Sequence, residues 1–302
     1  MLFIMSNSKK KSYFIRRLRL IGKRNYAILI VLPVIAALGF YALRIEPESL
    51  RIAEYTFQHE KVTPELDGTV IAFAADLHAN QRRHKLWKKV TDFLNSCDKN
   101  MPILLGGDLV NGNGKGLLIE DVLKNLAMLK NPSRIYTVPG NHEYRLYGKL
   151  DAVNQAFTAY NLVLMRDTNT VITTPGGGKF NLVGIDFMTN PHKRVDRSRT
   201  AGLLRSDMLN VVLTHTPEDF PFLSEKAHLV LAGHTHGGQI NIPFLGSMIN
   251  PPGYSRKYSR GRVKESGKTM IVSSGLGSAY TQARFCMVPE IVFITLKSAN
   301  KK

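Results

Sequence analysis

The sequence predicts a layered α/β sandwich with much parallel sheet, preceded by a membrane-anchoring helix. Short apolar runs alternate with helical patterns from about residue 68 onward, and an uncharged apolar stretch of 18 residues stands near the N-terminus. Several of the apolar runs also end in glycine beside Asp, Asn or His, the pattern of strands that feed a ligand crevice. At 302 residues the chain can bury one large core. Its hydrophobic fraction of 44% and charged fraction of 21% exclude a disordered chain.

Residues 1–24 carry Lys9, Lys10, Lys11, Arg16, Arg17, Arg19, Lys23 and Arg24 with no acidic residue. Taking those eight from the 41 basic residues leaves 33 against 23 acidic ones, so the remainder of this +18 chain is basic too. Such a balance points to an anionic partner: phosphate, nucleic acid or an anionic lipid surface. The stretch YAILIVLPVIAALGFYAL at 26–43 is uncharged. At ~1.5 Å per residue it reaches ~27 Å, about the thickness of a bilayer core. Pro33 is tolerated in such a helix, and Tyr26 and Tyr41 stand where interfacial aromatics belong. An uncleaved anchor over 25–44 is therefore expected; Ala37-Leu38-Gly39 is a weak cleavage site for the alternative, a signal peptide. By the positive-inside rule the basic flank stays in the cytoplasm and the domain lies outside. Residues 45–67 read as a connector with Pro47, Pro64 and one alternating stretch at 52–57. Cys97 and Cys286 are too few for a disulfide framework and are either buried thiols or one long-range bridge.

The remaining domain, 68–297, holds predicted strands at 70–75, 103–105, 135–138, 182–185, 211–213 and 229–231, with later ones at 270–273 and 291–296. Apolar residues at helical spacing mark helices at 86–94, 119–129 and 150–160. Five strand candidates end in donor residues. Asp76-Leu77-His78 follows the first, Gly106-Gly107-Asp108 the second, and Gly140-Asn141-His142-Glu143 the third. His215 closes VVLTH, and Gly233-His234-Thr235-His236-Gly237-Gly238 closes LVLAG. Taken singly, Asp-x-His is a capped turn, Gly-Gly-Asp a loop and His215 a core histidine. Together, with five of the nine histidines, they are poor structural filler. Carboxylate and amide oxygens mixed with imidazole nitrogens suit Mn, Fe or Zn better than Ca or Mg. Two divalent ions facing only Asp76 and Asp108 leave the site electropositive, as a phosphate site should be. Such a pair can activate water and clamp phosphoryl oxygens.

On these five blocks the chain resembles the calcineurin-like metallophosphoesterases over about residues 68–290. The resemblance implies a four-layer α/β/β/α sandwich and hydrolysis of a phosphoester or pyrophosphate by metal-activated water. It implies one metal on Asp76, His78, Asp108 and His236, and a second on Asp108, Asn141, His215 and His234, with Asp108 bridging. Two divalent ions are expected, Mn first, with Fe or Zn as alternatives. His142 would protonate the leaving oxygen or stabilise the transition state. Ala75, Asn80 and Asn111 depart from common family residues without removing a ligand.

The form GHTHGGQ, with Ser274-Gly275-Leu276-Gly277 and Pro289-Glu290, resembles the membrane-associated bacterial subgroup, some of whose members cleave UDP-2,3-diacylglucosamine in lipid A synthesis. The expected place is accordingly the cytoplasmic membrane of a bacterium. That lipid A step is cytoplasmic whereas the charge rule puts the domain outside, so the membrane side stays open. Arg145, Arg194, Arg197, Tyr254, Arg256 and Arg284 are the candidate substrate contacts, since Arg forks bind phosphate and aromatic faces stack on a base or sugar. The expected partners are a phosphoester or pyrophosphate, with a lipid-linked one favoured, and the membrane. Two alternatives stand beside it: an extracytoplasmic phosphodiesterase or nucleotidase, and a basic membrane- or nucleic-acid-binding scaffold. The intact donor set speaks against the scaffold, and basic runs without interleaved aromatics speak against nucleic acid.

Overall fold

Strands whose two faces are both apolar need cover on both sides, and that requirement sets the architecture. The computed structural model describes residues 28–79, 84–111, 119–130, 132–147, 150–187, 197–248, 255–279 and 281–299. Two six-stranded mixed sheets face one another. The first is ordered β1 (Arg51–His59), β14 (Glu290–Ser298), β2 (Val70–Ala74), β3 (Ile103–Leu105), β4 (Ile135–Thr137) and β5 (Val163–Leu164). The second is ordered β12 (Gly261–Glu265), β13 (Lys268–Val272), β9 (Leu229–Ala232), β8 (Leu209–Leu213), β7 (Lys179–Gly184) and β6 (Thr168–Thr173). Strands β2 to β5 run parallel, as do β13, β9, β8 and β7. A small hairpin joins β10 (Asn241–Ile242) to β11 (Gly246–Ser247).

Alternate residues of one strand serve two cores. Ile71 and Phe73 of β2 enter the core between the sheets, while Ala72 and Ala74 face the helices. Leu209, Val211 and Leu213 of β8 also point between the sheets, and Val212 points the other way. Helices α2 (His84–Ser96), α3 (Ile119–Ala127) and α5 (Leu150–Ala159) cover the outer face of the first sheet through Leu86, Val90, Val122, Leu126, Val153 and Phe157. The outer face of the second sheet packs on Leu203 at the end of α6 (Arg197–Leu203) and on Phe220 of a 3₁₀ turn, Pro217–Phe222. Three apolar layers between four structural layers give the expected sandwich.

Helix α1 (Ile28–Glu48) is, among the described residues, the one helix long and apolar enough to cross a membrane, and its apolar window is not buried. Its last turns dock on the domain. The Ala42 carbonyl accepts the Arg284 N–H at 2.8 Å, the Glu46 carboxylate accepts the N–H groups of Cys286 and Met287, and Tyr41 meets Phe285 edge-on. The stretch expected as a connector is corrected here. Its centre is β1, which pairs in parallel with β14 along nine residues, and Phe57, Val62 and Leu66 join the core between the sheets. Only one face of this edge strand packs, so its pattern alternates weakly and its length is hidden from a search for apolar runs. Both cysteines are free thiols, Cys97 half-buried and Cys286 exposed.

At the end of the sandwich remote from the strand-end loops, His228 accepts the Asn210 N–H at Nδ1 (3.0 Å) and packs on the His59 ring. Burial, then the neighbouring His59 and Lys61, pushes His228 down to about 4 from 6.5. The unfolded chain therefore takes up this proton first, and stability is lost as pH falls from 6.5 towards 4. Replacing His228 by Asn retains an acceptor and should flatten the urea midpoint against pH in that window; an unchanged slope would refute the assignment.

Candidate metal centre

The parallel strands of both sheets end at the same side, and each delivers donor side chains there. The first sheet brings Asp76 and His78 after β2, Asp108 after β3, and Asn141 and His142 at the start of α4 (Asn141–Tyr147) after β4. The second brings His215 after β8, then His234 and His236 after β9. Five of these residues hold left-handed backbone: Asp76 (φ 52°), His78 (40°), Asp108 (51°), His234 (70°) and His236 (52°). Non-glycine residues avoid that region, and such strain persists where the surroundings over-determine it, commonly at functional sites. The surroundings are visible: the N–H groups of Asp76 and His78 donate to the carbonyls of Gly107 and Asp108 at 3.0 and 2.9 Å. The His234 N–H donates to the Asp76 carboxylate at 2.9 Å, stitching the two sheets together.

The side chains form two groups around Asp108. In one, His78 Nε2 lies 3.1 Å from His236 Nε2, and Asp76 Oδ1 is 3.8 Å from His236 Nε2. In the other, His215 Nε2 lies 3.0 Å from His234 Nδ1 and 3.1 Å from Asn141 Oδ1. Asp108 Oδ2 stands between them, 3.6 Å from His78 Nε2 and 3.5 Å from His215 Nε2. Donors ~2.1 Å from one ion sit roughly 3.0–3.5 Å from each other, so these spacings are those of ligand shells. The trios Asp76–His78–His236 and Asp108–His215–His234 each offer three atoms close enough to hold one cation. Tautomers agree. The His215 Nδ1–H donates to the Gly106 carbonyl at 2.7 Å, which turns Nε2 inward as the ligating atom. Among the described residues the buried His236 Nδ1 has no hydrogen-bond partner. The donor set fits divalent metal.

Burial holds His78 and His234 down to about 3 and lowers His236 and His142, so these imidazoles are neutral, the form that binds metal. Burial pushes Asp76 up to about 7, assisted by the charge of Asp108. Asp108 goes the other way: burial opposes its charge, but the imidazoles, His215 foremost, hold it well below the usual carboxylate range. His215 is the complement, penalised by burial yet lifted to about 9 by Asp108. His215 thus holds at neutral pH a proton that a bound cation would displace.

Of the residues expected to touch substrate, Arg145 is exposed on α4, near enough to His142 to lower its proton affinity. Arg256 is exposed on a 3₁₀ turn, Arg256–Tyr258, beside the β10–β11 hairpin. Arg194 and Tyr254 lie outside the described residues, as does the side chain of Arg197. Arg284 is corrected: it is fully buried, and its guanidinium donates to the carbonyls of Ser274, Gly275, Gly277 and Met287. It braces the loop whose Gly277 N–H holds the Asp76 carbonyl, so it cannot face a substrate.

Glu143 was given no role by sequence reasoning. Fully buried, it accepts the N–H groups of Asp108 (2.9 Å), Leu109 (2.7 Å) and Gly140 (2.8 Å), fixing the Asp108 loop against α4. Its place in Gly-Asn-His-Glu was the available signal. Phe187, whose ring meets His215 edge-on at 5.6 Å, carries no such signal.

Gly140 has no room for a methyl group, because a Cβ there would lie 2.5 Å from the Asp108 nitrogen and against its carboxylate. Gly140→Ala should displace Asp108 and lower Mn²⁺ affinity at least about tenfold while far-UV circular dichroism stays native; unchanged metal titration would refute the packing argument. Metal uptake at pH 7 should also release about one proton from His215 and a further fraction from Asp76. Calorimetry in buffers of different ionisation enthalpy measures this, and a release near zero would contradict the assigned protonation.

With the geometry in place, comparison with known proteins is direct. The chain is 27% identical to the metallophosphoesterase YkuE of Bacillus subtilis over 86% of its own length and 90% of that protein. It is 28% identical to the phosphodiesterase YaeI of Escherichia coli over 75% and 81% of the two chains. The UDP-2,3-diacylglucosamine pyrophosphatase LpxG of Chlamydia trachomatis is 24% identical, over 83% and 90%. The calcineurin-like phosphoesterase family profile matches residues 69–238, more than half of the chain and all of the five donor-bearing strand ends. This chain belongs to the calcineurin-like phosphoesterase family and is a metal-dependent hydrolase.

Proposed function

We propose that this chain hydrolyses a lipid-linked phosphoester or pyrophosphate at a membrane surface, with two divalent ions in the cluster around Asp108. The observation that carries the reading is positional. Helix α1 docks through Ala42 and Glu46 on residues 284–287, and Arg284 braces the loop that holds Asp76. The anchor and the metal centre therefore share one end of the sandwich, so a span through α1 brings the centre to the lipid headgroups. A nucleotide-linked lipid such as UDP-2,3-diacylglucosamine is the favoured substrate, supported by the similarity to LpxG. Mn is the favoured metal, and the cytoplasmic membrane of a bacterium the favoured place.

In this reading Asp76, His78 and His236 would hold one ion, Asn141, His215 and His234 would hold the other, and Asp108 would contribute to both. Bound there, the ions supply an activated water and offset the charge on the phosphoryl oxygens. The chain's own residues do the rest. His142 is pinned by its N–H to Asp108 Oδ1 at 2.8 Å and keeps Nε2 3.9 Å from Asp108 Oδ2. Although burial keeps it neutral in the free protein, a phosphate anion alongside favours its imidazolium, which then carries the proton for the leaving oxygen. Arg145, one helical turn further, has its guanidinium available for non-bridging phosphate oxygens. A second reading, a phosphodiesterase acting on a soluble ester outside the membrane, is favoured by the similarity to YaeI and by the basic N-terminal flank.

The test is hydrolysis by the full-length chain in vesicles, since residues 41–48 are packed on the domain and are not dispensable. UDP-2,3-diacylglucosamine and bis-p-nitrophenyl phosphate are supplied with Mn²⁺, beside Asp108→Ala. UMP release that falls more than about a hundredfold in the variant is expected. Turnover of the generic ester alone would favour the second reading, and failure to bind Mn²⁺ would sink both.

A further inference from the structure

The hairpin β10–β11 presents a patch that packing does not explain. Phe244 at its tip is fully exposed, with Leu245 63% and Met248 56% exposed beside it. Phe244 also adopts left-handed backbone (φ 70°), a conformation bulky residues avoid. Among the described residues nothing covers the Phe244 ring to offset that strain.

The root of this hairpin is tied to the docking point of α1. Asn241 N–H donates to the Phe285 carbonyl at 2.8 Å, and the Phe285 N–H donates to the Gln239 carbonyl at 3.1 Å. The Phe285 ring in turn meets Tyr41 of α1. One residue thus holds both the apolar tip and the end of the apolar helix, along which Leu29, Ile30 and Leu32 are exposed. Arg256 reaches the hairpin next to Gly246, placing a cation beside the apolar tip. Apolar and aromatic side chains with an adjacent guanidinium are the chemistry of the headgroup region of an anionic bilayer.

We propose that the β10–β11 hairpin is a second membrane contact, seating Phe244, Leu245 and Met248 in the lipid interface beside α1. The inference rests on the anchoring role proposed for α1 and goes beyond it: two attachment points fix the tilt of the domain where one leaves it free to swing. The hairpin begins five residues after the last donor, His236, and the Gln239 side chain between them donates to the carbonyls of Thr281 and Ala283. Lipid contact and metal loop are thereby one rigid piece, and the seated domain faces the bilayer with its metal centre.

The experiment uses the full-length chain in vesicles of phosphatidylethanolamine and phosphatidylglycerol, some brominated near the headgroup end of the acyl chains. Trp87, the single tryptophan, is replaced by Phe, and one tryptophan is then introduced at Leu32, Phe244 or Met128. Met128 is exposed just after α3, at the opposite end of the sandwich, and serves as the control. Trp at 32 and at 244 should both be quenched, the latter at least about threefold more than Trp at 128, as for an interfacial aromatic. Quenching at 32 with 244 no different from 128 would overturn the hairpin contact and leave the anchor standing. Absence of quenching at all three positions would overturn the anchor and the hairpin together.

Discussion

Asp108 is the point on which the rest of the structure depends. Its Oδ1 accepts the His142 N–H, and its Oδ2 faces three imidazole nitrogens at 3.5 to 3.9 Å. A carboxylate can be buried there only if its neighbours leave room and its loop is held without a side-chain cation. Gly107 and Gly140 leave the room: their backbones approach so closely that a Cβ on either would collide with the facing loop. Glu143 holds the loop through the N–H groups of Asp108, Leu109 and Val110 and ties it to the N–H of Gly140. A second carboxylate in that place would ordinarily be repelled, and burial together with Asp108 does push Glu143 up to about 7. Its backbone donors work the other way and retain it.

The two metal-site carboxylates illustrate how position within one cluster divides similar groups. Asp108, facing His78, His142 and His215, stays charged; Asp76, equally buried but with fewer imidazoles in reach, is pushed up to about 7. A low-dielectric site that holds two carboxylates and five imidazoles cannot satisfy all of them with protons alone. The left-handed backbone at five donors adds strain of order 1–3 kcal/mol per residue. Cation binding would relieve the charge part of that frustration, which would couple metal affinity to folding. The surrounding sandwich, with its three apolar layers, supplies the stability that tolerates it.

How much of this was legible in the sequence follows from burial. Strands β2, β3, β8 and β9 read clearly because both faces are covered and the run is uninterrupted. Edge strands β1, β6 and β12 did not, since water on one face dilutes their apolar pattern. The donors were legible by residue type, because Asp, Asn and His beside glycine at a strand end have few structural uses. The residues that hold them were not. Glu143 and Arg284 carry charge and look like surface groups, yet both are buried and spent on backbone partners that only the fold brings near. The hairpin's two-residue strands are too short for any periodicity to register.

The relation between the anchor and the centre is a consequence of strand direction rather than of any local motif. Strand β2 delivers Asp76 at its carboxyl end. Because β14 runs antiparallel to β2, the amino end of β14 lies at that same side. Because β1 runs parallel to β14, its amino end lies there too, with Arg51 opposite Glu290. Helix α1 stops at Glu48, three residues before β1 begins at Arg51, and so has to leave the domain at the donor-bearing end. Had β1 paired antiparallel, as the neighbouring β14 and β2 do, the same anchor would emerge at the opposite end and the centre would face away from any membrane that α1 spans. The choice of a parallel edge strand, fixed by nine paired residues and by the Arg51–Glu290 ion pair, is thus what puts the end of α1 and the cluster around Asp108 on one side of the sandwich.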